Sequence, residues 1–342
     1  MSEKLITFVV PSYNSEAYLN ICVDSLIKGG DDVEILIVND GSTDGTKEIG
    51  EDYEKRYPGM IRLLNQENGG HGEGINHGLK EAKGIYFKVV DSDDWVDETA
   101  LKTIIAALKK WKAQKKLPDM MVANYVYENR EKDIQRVIRF GSIFPEGRVV
   151  GWNDTSRFHL WQNLTLHSCM FRTSIIRKSG VVLPKHVFYE DNFFVFVPMA
   201  YVNRLAYLNV DFYRYLIGRD GQSVANEALK KHCMDQVTIS KLVFATWASY
   251  SPRIRNKRKK ACLYHHLKLM MCLASIFPRL NDDEEHDIAV QKMWRFASRV
   301  GMLSALRVRF FSYVFFLNIP GKAGRRISAF IYRLSNIAVP FN

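Results

Sequence analysis

The sequence predicts an α/β fold: a Rossmann-like, mostly parallel central sheet with flanking helices, followed by a basic helical C-terminal region. Three observations carry that expectation. Short apolar, β-branched runs alternate with helix-period segments through the first hundred residues, the pattern of a parallel sheet covered on both faces. Polar clusters follow the apolar runs directly, at the strand carboxyl ends where such sheets bind ligands. The charge is concentrated late: beyond residue 250 there are 17 Lys/Arg against 5 Asp/Glu, a surplus of +12, which leaves −1 of the total +11 for residues 1–250.

Each element follows in order from its residues. Residues 5–10 are an apolar run ending at Pro11, suited to a strand buried on both faces. Residues 16–28 have helical spacing, with Ala17, Ile21 and Leu26 among the apolar positions. Residues 33–38 form a second strand, closed by the turn signal Asn39-Asp40-Gly41-Ser42. A second helix is expected over 43–57, with Thr43 or Asp44 able to cap it. A short third strand (61–64), a helix (76–83) and a strand (85–90) follow. Residues 98–111 are helical. After Pro118 the chain turns β-rich at 120–128, 134–140 and 147–151, then mixed or helical through 168–176. A further strand is expected over 205–215, and helices from about residue 228.

At 342 residues the chain is long enough for one large domain plus an appendage, or for two domains. The five cysteines form no CxxC pair and have no histidine at finger spacing, which argues against a zinc site and for a reducing cytoplasm. The first residues do not read as a secretory signal. No window reaches the roughly 18 apolar residues of a membrane span, so a soluble or peripheral protein is expected.

The tetrad Asp91-Ser92-Asp93-Asp94 at the end of the 85–90 strand carries the most chemistry. Three carboxylates at one strand mouth repel unless a cation or a cation-bound phosphate lies between them. A hard ion such as Mg²⁺ or Mn²⁺ would draw one or two of them. The competing reading is an N-cap and acidic first turn for the helix at 98–111. The segment 68–74 holds four glycines before a helix, which suits phosphate binding or a flexible turn, and its spacing is neither a P-loop nor a dinucleotide fingerprint.

Four blocks together resemble glycosyltransferase family 2, the inverting nucleotide-sugar enzymes of the GT-A fold. They are residues 10–14 (Val-Pro-Ser-Tyr-Asn), 35–46 around Asn39-Asp40-Gly41-Ser42, 68–78 with its glycines, and 89–95 around the tetrad. A weaker match, through Glu190-Asp191 and residues 219–223, reaches about residue 225. The resemblance implies a GT-A domain over 1–225, with a nucleotide-binding half (1–100) and an acceptor half (101–225), and a separate region over 226–342. It implies that Pro11, Tyr13, Asp40 and Asn68 hold the nucleoside of a UDP-sugar. Asp91 would contact the ribose or sugar, Asp93 would ligate Mn²⁺ or Mg²⁺, and Asp191 would be the general base. Arg219 belongs to the implied substrate-side loop. Where many members carry Arg before the Asn of the glycine segment, this chain has Ile75, so diphosphate charge would be met by metal, backbone N–H groups, Arg214 or Arg219. His71 reads either as a donor-sugar contact or as a solvated loop histidine, and Asp191 as a base or a helix N-terminal carboxylate.

The resemblance implies transfer to a growing cell-surface glycan or lipid-linked acceptor of an exopolysaccharide, capsule, lipopolysaccharide or teichoic acid, in the cytoplasm or at the inner face of the membrane. A catalytically silent glycan-binding or scaffolding domain is the alternative, and the intact set Asp40, Asp91, Asp93 and Asp191 argues against it. A nucleotidyltransferase would need a basic glycine-rich loop that residues 11–16 do not offer. The basic tail, with Phe310, Phe311, Phe315 and Phe316 between arginines, suits either an anionic membrane surface or a packed helical subdomain with a solvated face. No nucleic-acid-binding motif accompanies the charge.

Overall fold

The computed structural model describes residues 3–129, 134–160, 162–218, 226–319 and 321–338. The chain divides into two compact units, residues 1–216 and 217–342. The first contains β1 (Ile6–Ser12), α1 (Leu19–Leu26), β2 (Val33–Asp40), α2 (Thr46–Arg56), β3 (Ile61–Gln66), α3 (His71–Glu81), β4 (Tyr86–Val89) and β5 (Trp95–Val96). It continues with α4 (Glu98–Ala113), β6 (Met120–Asn129), β7 (Ile134–Ile138), β8 (Val149–Gly151), β9 (Cys169–Arg172), α5 (Thr173–Ser179), α6 (Glu190–Met199) and β10 (Arg204–Leu216).

These strands form one sheet in the order β3-β2-β1-β4-β9-β6-β10-β5, with β7 on β6 and β8 on β10. Every residue of β1 and β2 is buried, as their mostly apolar runs require, and buried Glu34 is satisfied by the Thr7 hydroxyl at 2.6 Å. The first four strands are parallel, and their order 3-2-1-4 reverses direction between β1 and β4. That reversal opens a crevice at the carboxyl ends of β1 and β4, where Tyr13 and Asp91 emerge. The other half of the sheet is mixed: β9 runs antiparallel to β4 and β6, while β6 and β10 are parallel with a bulge after Leu208. The stretch 168–176, mixed in sequence, resolves into β9 and α5, which divide at Thr173.

The helices follow their apolar spacing. In α1, Leu19, Cys22, Val23 and Leu26 are buried at i, i+3, i+4 and i+7. In α4, Leu101, Ile104, Ile105, Leu108 and Trp111 repeat that stripe, and Asp97 caps the helix by accepting from the Ala100 N–H. The helix expected over 76–83 starts instead at His71. Gly70, at φ 83°, turns the chain into it, so much of the glycine segment is helix rather than open loop. Its glycines also let α3 lie directly on the sheet: a Cβ on Gly78 would come within 2.3 Å of Val9 Cγ1.

The second unit is helical: α7 (Asn226–Lys231), α8 (Cys233–Tyr250), α9 (Lys257–Ile276), α10 (Glu284–Phe310) and α11 (Gly321–Ala338). Val237, Phe244, Leu263, Leu267, Met270, Met293 and Trp294 are buried in its core. Gly301, at φ −161° and ψ 78°, interrupts α10. Buried Asp287 accepts from Arg279 at 2.8 Å and from Arg325 at 2.9 Å, tying α10 to α11. No helix among the described residues is long and apolar enough to cross a membrane.

Candidate active site

The loops after β1 and β2 are laced together at the sheet edge. Asn14, in the left-handed region at φ 48°, accepts from the Thr43 N–H at 2.8 Å, and its own N–H donates to Ser42 Oγ. The Ser15 N–H donates to Thr46 Oγ1 at 2.7 Å, and Glu16 accepts from the Gly45 N–H at 2.7 Å. Short polar side chains thus satisfy the turn backbone on both loops. Buried Pro11 ends the apolar core of β1, and Tyr13 beyond it is 53% exposed. Asn68 is exposed and sits against the turn at Gly41, whose added Cβ would lie 3.0 Å from the Asn68 N.

Asp40 lies at this edge with its carboxylate turned to the glycine segment. Its Oδ1 accepts from Gln66 Nε2 at 2.6 Å and the Gly69 N–H at 2.8 Å; its Oδ2 accepts from the Gly70 N–H at 2.8 Å. Three donors on a carboxylate only 3% exposed fix the loop that starts α3.

At the end of β4 the tetrad is not a set of equivalent carboxylates. Asp91 Oδ1 meets His71 Nε2 at 2.9 Å, and His71 Nδ1 meets Glu190 Oε1 at 2.6 Å. Burial works against a charged His71, but its hydrogen bonds to Asp91 and Glu190 and their charges hold its pKa well above the ordinary value. Burial likewise works against Asp91, and its neighbours His167 and hydrogen-bonded His71 hold it well below the carboxylate range. Asp94 goes the other way: burial and the neighbouring Asp91 charge push it well above. Its Oδ2 accepts from Tyr213 OH at 2.7 Å and its Oδ1 from the Leu216 N–H at 2.9 Å, while Tyr213 OH accepts from the Asp91 N–H. Asp94 therefore holds the tetrad against β10, and it is Asp97, not Asp94, that caps α4.

Lys88 supports the same centre from inside β4. It is 1% exposed, donates to the carbonyls of Leu166 and His167 at 2.6 and 2.8 Å, and lies 4.8 Å from the centre of the Tyr213 ring. Burial lowers its ammonium to about 7, with Cys169, Asp91 and Asp94 pulling the other way. His167, stacked on Tyr215 with ring centres 4.5 Å apart, brings its Nε2 to 3.8 Å from Asp91 Oδ2.

The element carrying Asp191 is fastened to α3. Asn76 bonds both ways with Leu183 (Nδ2 to its O at 2.9 Å, Oδ1 from its N–H at 3.0 Å), the His186 N–H donates to the Gly69 carbonyl, and His71 holds Glu190. Tyr189, at φ 67°, turns the chain into α6 so that Glu190 and Asp191 begin it. Glu190 faces His71; Asp191 accepts from Asn192 Nδ2 at 2.9 Å. Burial, and then the Glu190 charge, push Asp191 up to about 7. His71→Ala would leave two carboxylates facing each other without their cation. Because the His71 side chain is 36% exposed, solvent screens part of this, and we expect unfolding in urea to show a loss of about 1–2 kcal/mol, with His71→Lys recovering part of it.

The expected site residues thus divide. Pro11, Tyr13, Asp40 and Asn68 gather at the ends of β1 to β3, and Asp91 is joined through His71 to the Glu190-Asp191 pair. Arg219 lies outside the described residues. Arg214 does not stand ready for a diphosphate: it is engaged with Glu128 at 2.8 Å and Asp97 at 3.4 Å. His71 is a buried-side ion-pair centre rather than a solvated loop residue. His167, Tyr213 and Glu190 were missed from the sequence as site residues. Lys88 carried a signal, a single cation inside an apolar strand, and Glu190 adjoined a residue already singled out.

One donor set is close enough together to be a candidate for a divalent cation. Asp91, Asp94 and His167 each offer a ligand atom within 4.8 Å of the others. Two of the three are hard oxygen donors, but both Asp94 oxygens already accept hydrogen bonds. Asp93 is outside this group, half-buried on the turn between Asp91 and Asp94.

Residues 7–179 match the family model described as glycosyl transferase family 2. Among curated relatives, the uncharacterized glycosyltransferase EpsJ of Bacillus subtilis (strain 168) is 42% identical over 101 residues, 29% of each chain. The putative glycosyltransferase EpsH of the same organism is 28% identical over 235 residues, 64% of this chain and 62% of that one. The chain therefore spans less than two thirds of either relative. In structure, Staphylococcus aureus TarS in complex with UDP-GlcNAc superposes with a TM-score of 0.58 at 20% identity, covering 97% of this chain and 92% of that one. The mannosyltransferase PcManGT of Pyrobaculum calidifontis, in complex with GDP-Man and Mn²⁺, gives 0.51 at 16% identity over 98% and 88%. These likenesses establish a GT-A-like fold. With the family model spanning half its length, the chain belongs to glycosyl transferase family 2.

Proposed function

We propose that the chain is an inverting, metal-dependent glycosyltransferase that moves a sugar from a UDP-sugar to a growing cell-surface glycan or a lipid-linked acceptor. One observation carries this reading. The acidic turn after β4 and the half-buried Asp191 on α6 are held in one frame by the Asp91–His71–Glu190 bridge. That frame keeps a base apart from the acidic turn yet fixed relative to it, as single-step displacement requires.

In this reading Tyr13, Asn68 and the loop fixed by Asp40 receive the nucleoside, and the N-terminus of α3 faces the diphosphate. Asp93 would hold Mn²⁺ or Mg²⁺, with Asp91 oriented by His71 toward the ribose or sugar. When bound, the ion would neutralise charge on the diphosphate leaving group. Asp191 takes the proton of the acceptor hydroxyl as its oxygen bonds to the anomeric carbon; the bond to the diphosphate oxygen breaks, and the configuration inverts. Support for the donor and acceptor classes comes from relatives. TarS, crystallised with UDP-GlcNAc, is named a poly(ribitol-phosphate) β-N-acetylglucosaminyltransferase, and 27% identity to it extends over 222 residues. The minor teichoic acid biosynthesis protein GgaB of B. subtilis matches at 33% over 112 residues.

The test is a donor screen with UDP-GlcNAc, UDP-glucose, UDP-galactose and GDP-mannose, following nucleotide release with Mn²⁺, with Mg²⁺ and with EDTA. Release of UDP from one UDP-sugar, abolished by EDTA, is expected. Failure of every donor to bind or turn over would leave a silent glycan-binding domain as the better account.

A further inference from the structure

The second unit ends in a surface that the catalytic reading does not use. Beyond the break at Gly301, α10 buries Ala305 and Val308 and exposes Met302 (64%), Leu303 (73%), Leu306 and Phe310 on the other side. The turn that follows repeats the division: Val314 and Leu317 are buried, while Phe311 (82%), Phe315 and Phe316 (59%) face out. The exposed rings are continuous, Phe310 to Phe315 at 6.3 Å and Phe315 to Phe316 at 5.5 Å between centres. The buried residues anchor this segment to its own unit, so the apolar face is a fixed feature and not an unpacked end. Scattered exposed apolar residues are ordinary; a contiguous set of this size is not.

The sequence that carries that face is cationic. Residues 288–342 contain nine Lys/Arg and no Asp or Glu. Arg307 is exposed between Leu306 and the phenylalanines, and the half-buried Arg309 guanidinium lies 5.3 Å from the Phe310 ring centre and 5.7 Å from that of Trp294. In α11, Lys322, Arg326 and Phe330 are exposed.

We propose that this face, Met302 to Phe316 with the exposed cations of α11, is a docking surface for an anionic lipid bilayer. The phenylalanines and Leu303 would enter the boundary between headgroups and acyl chains, with the arginines level with the lipid phosphates. A second copy of the chain is disfavoured because it would bring an equally cationic segment against this one. A nucleic acid would pair with the arginines but leave Met302, Leu303 and Leu306 in water. The surface spans no bilayer, in keeping with the absence of a crossing helix among the described residues. It stands independently of the donor-site assignment.

Co-sedimentation of the full chain with vesicles tests it. Binding to vesicles with about 30% phosphatidylglycerol should exceed binding to pure phosphatidylcholine at least about tenfold and weaken as salt rises toward about 1 M. The triple variant Leu303→Glu, Phe311→Glu, Phe316→Glu should lose at least about tenfold in vesicle binding with an unchanged circular dichroism spectrum. The pair Arg307→Gln, Arg326→Gln, which leaves the apolar face intact, should weaken binding to the anionic vesicles alone. Absence of vesicle binding, or equal binding by the triple variant, overturns the proposal. So does size-exclusion chromatography in which the wild type self-associates through this face while vesicle binding is unaffected.

Discussion

Asp191→Asn is expected to lower sugar transfer by about a thousandfold while leaving the donor KM within about twofold. The substitution keeps an oxygen for the Asn192 side chain, which donates to Asp191 at 2.9 Å, so α6 should start as before. What it removes is the proton acceptor. The wild-type pH profile supplies a second readout. Burial and the adjacent Glu190 place Asp191 at about 7, and base catalysis needs the ionised form. Transfer by the wild type should therefore rise with unit slope below about 7 and level off above it; the Asn variant's residual rate should lack that inflection. Stability should move oppositely. Because the folded-state pKa is raised, the unfolded chain releases this proton first as pH increases. The cost of an ionised Asp191 is absent below its ordinary value of 3.8 and fully present above about 7. The variant should then melt above the wild type at pH 8, with the difference vanishing near pH 4. Unchanged transfer in the Asn variant would remove Asp191 as base.

The sequence made the strand-end clusters legible because each depends on local chemistry. The apolar runs before Pro11, Asp40 and Asp91 define parallel strands, and parallel strands put their carboxyl ends on one edge. What stayed hidden depends on contacts far apart in the chain. Glu190 reaches His71 across 119 positions and Tyr213 reaches Asp94 across the same separation, and no spacing rule encodes such pairs. The glycine segment misled for a different reason. Its glycines suggested a loop, yet Gly72, Gly74 and Gly78 are buried within a helix that lies against the sheet. The low helix propensity of glycine is outweighed there by the close approach it permits. The cap reading of the tetrad arose because any Asp ahead of a helix resembles a cap, and only the fold reveals that Asp97 has that task.

Asp93→Ala should lower metal-dependent transfer by about a thousandfold and weaken Mn²⁺ binding in the presence of UDP at least about tenfold, measured by isothermal titration. Two readings of the acidic turn make different forecasts here. If Asp93 and the diphosphate share the ion, Asp94→Asn should leave Mn²⁺ affinity nearly intact. Asp94 would then act as a buried brace between Tyr213 and Leu216, and its loss would appear as reduced stability. If the ion instead sits among Asp91, Asp94 and His167, whose donor atoms lie within 4.8 Å of one another, then Asp94→Asn and His167→Gln should each abolish Mn²⁺ binding and Asp93→Ala should not. The hydrogen bonds favour the first outcome. Burial and the Asp91 charge disfavour the ionised Asp94 carboxylate that a metal needs, and both its oxygens must weaken hydrogen bonds before it can ligate. Asp93 lies half-buried at the middle of the turn, outside the Asp91, Asp94 and His167 group.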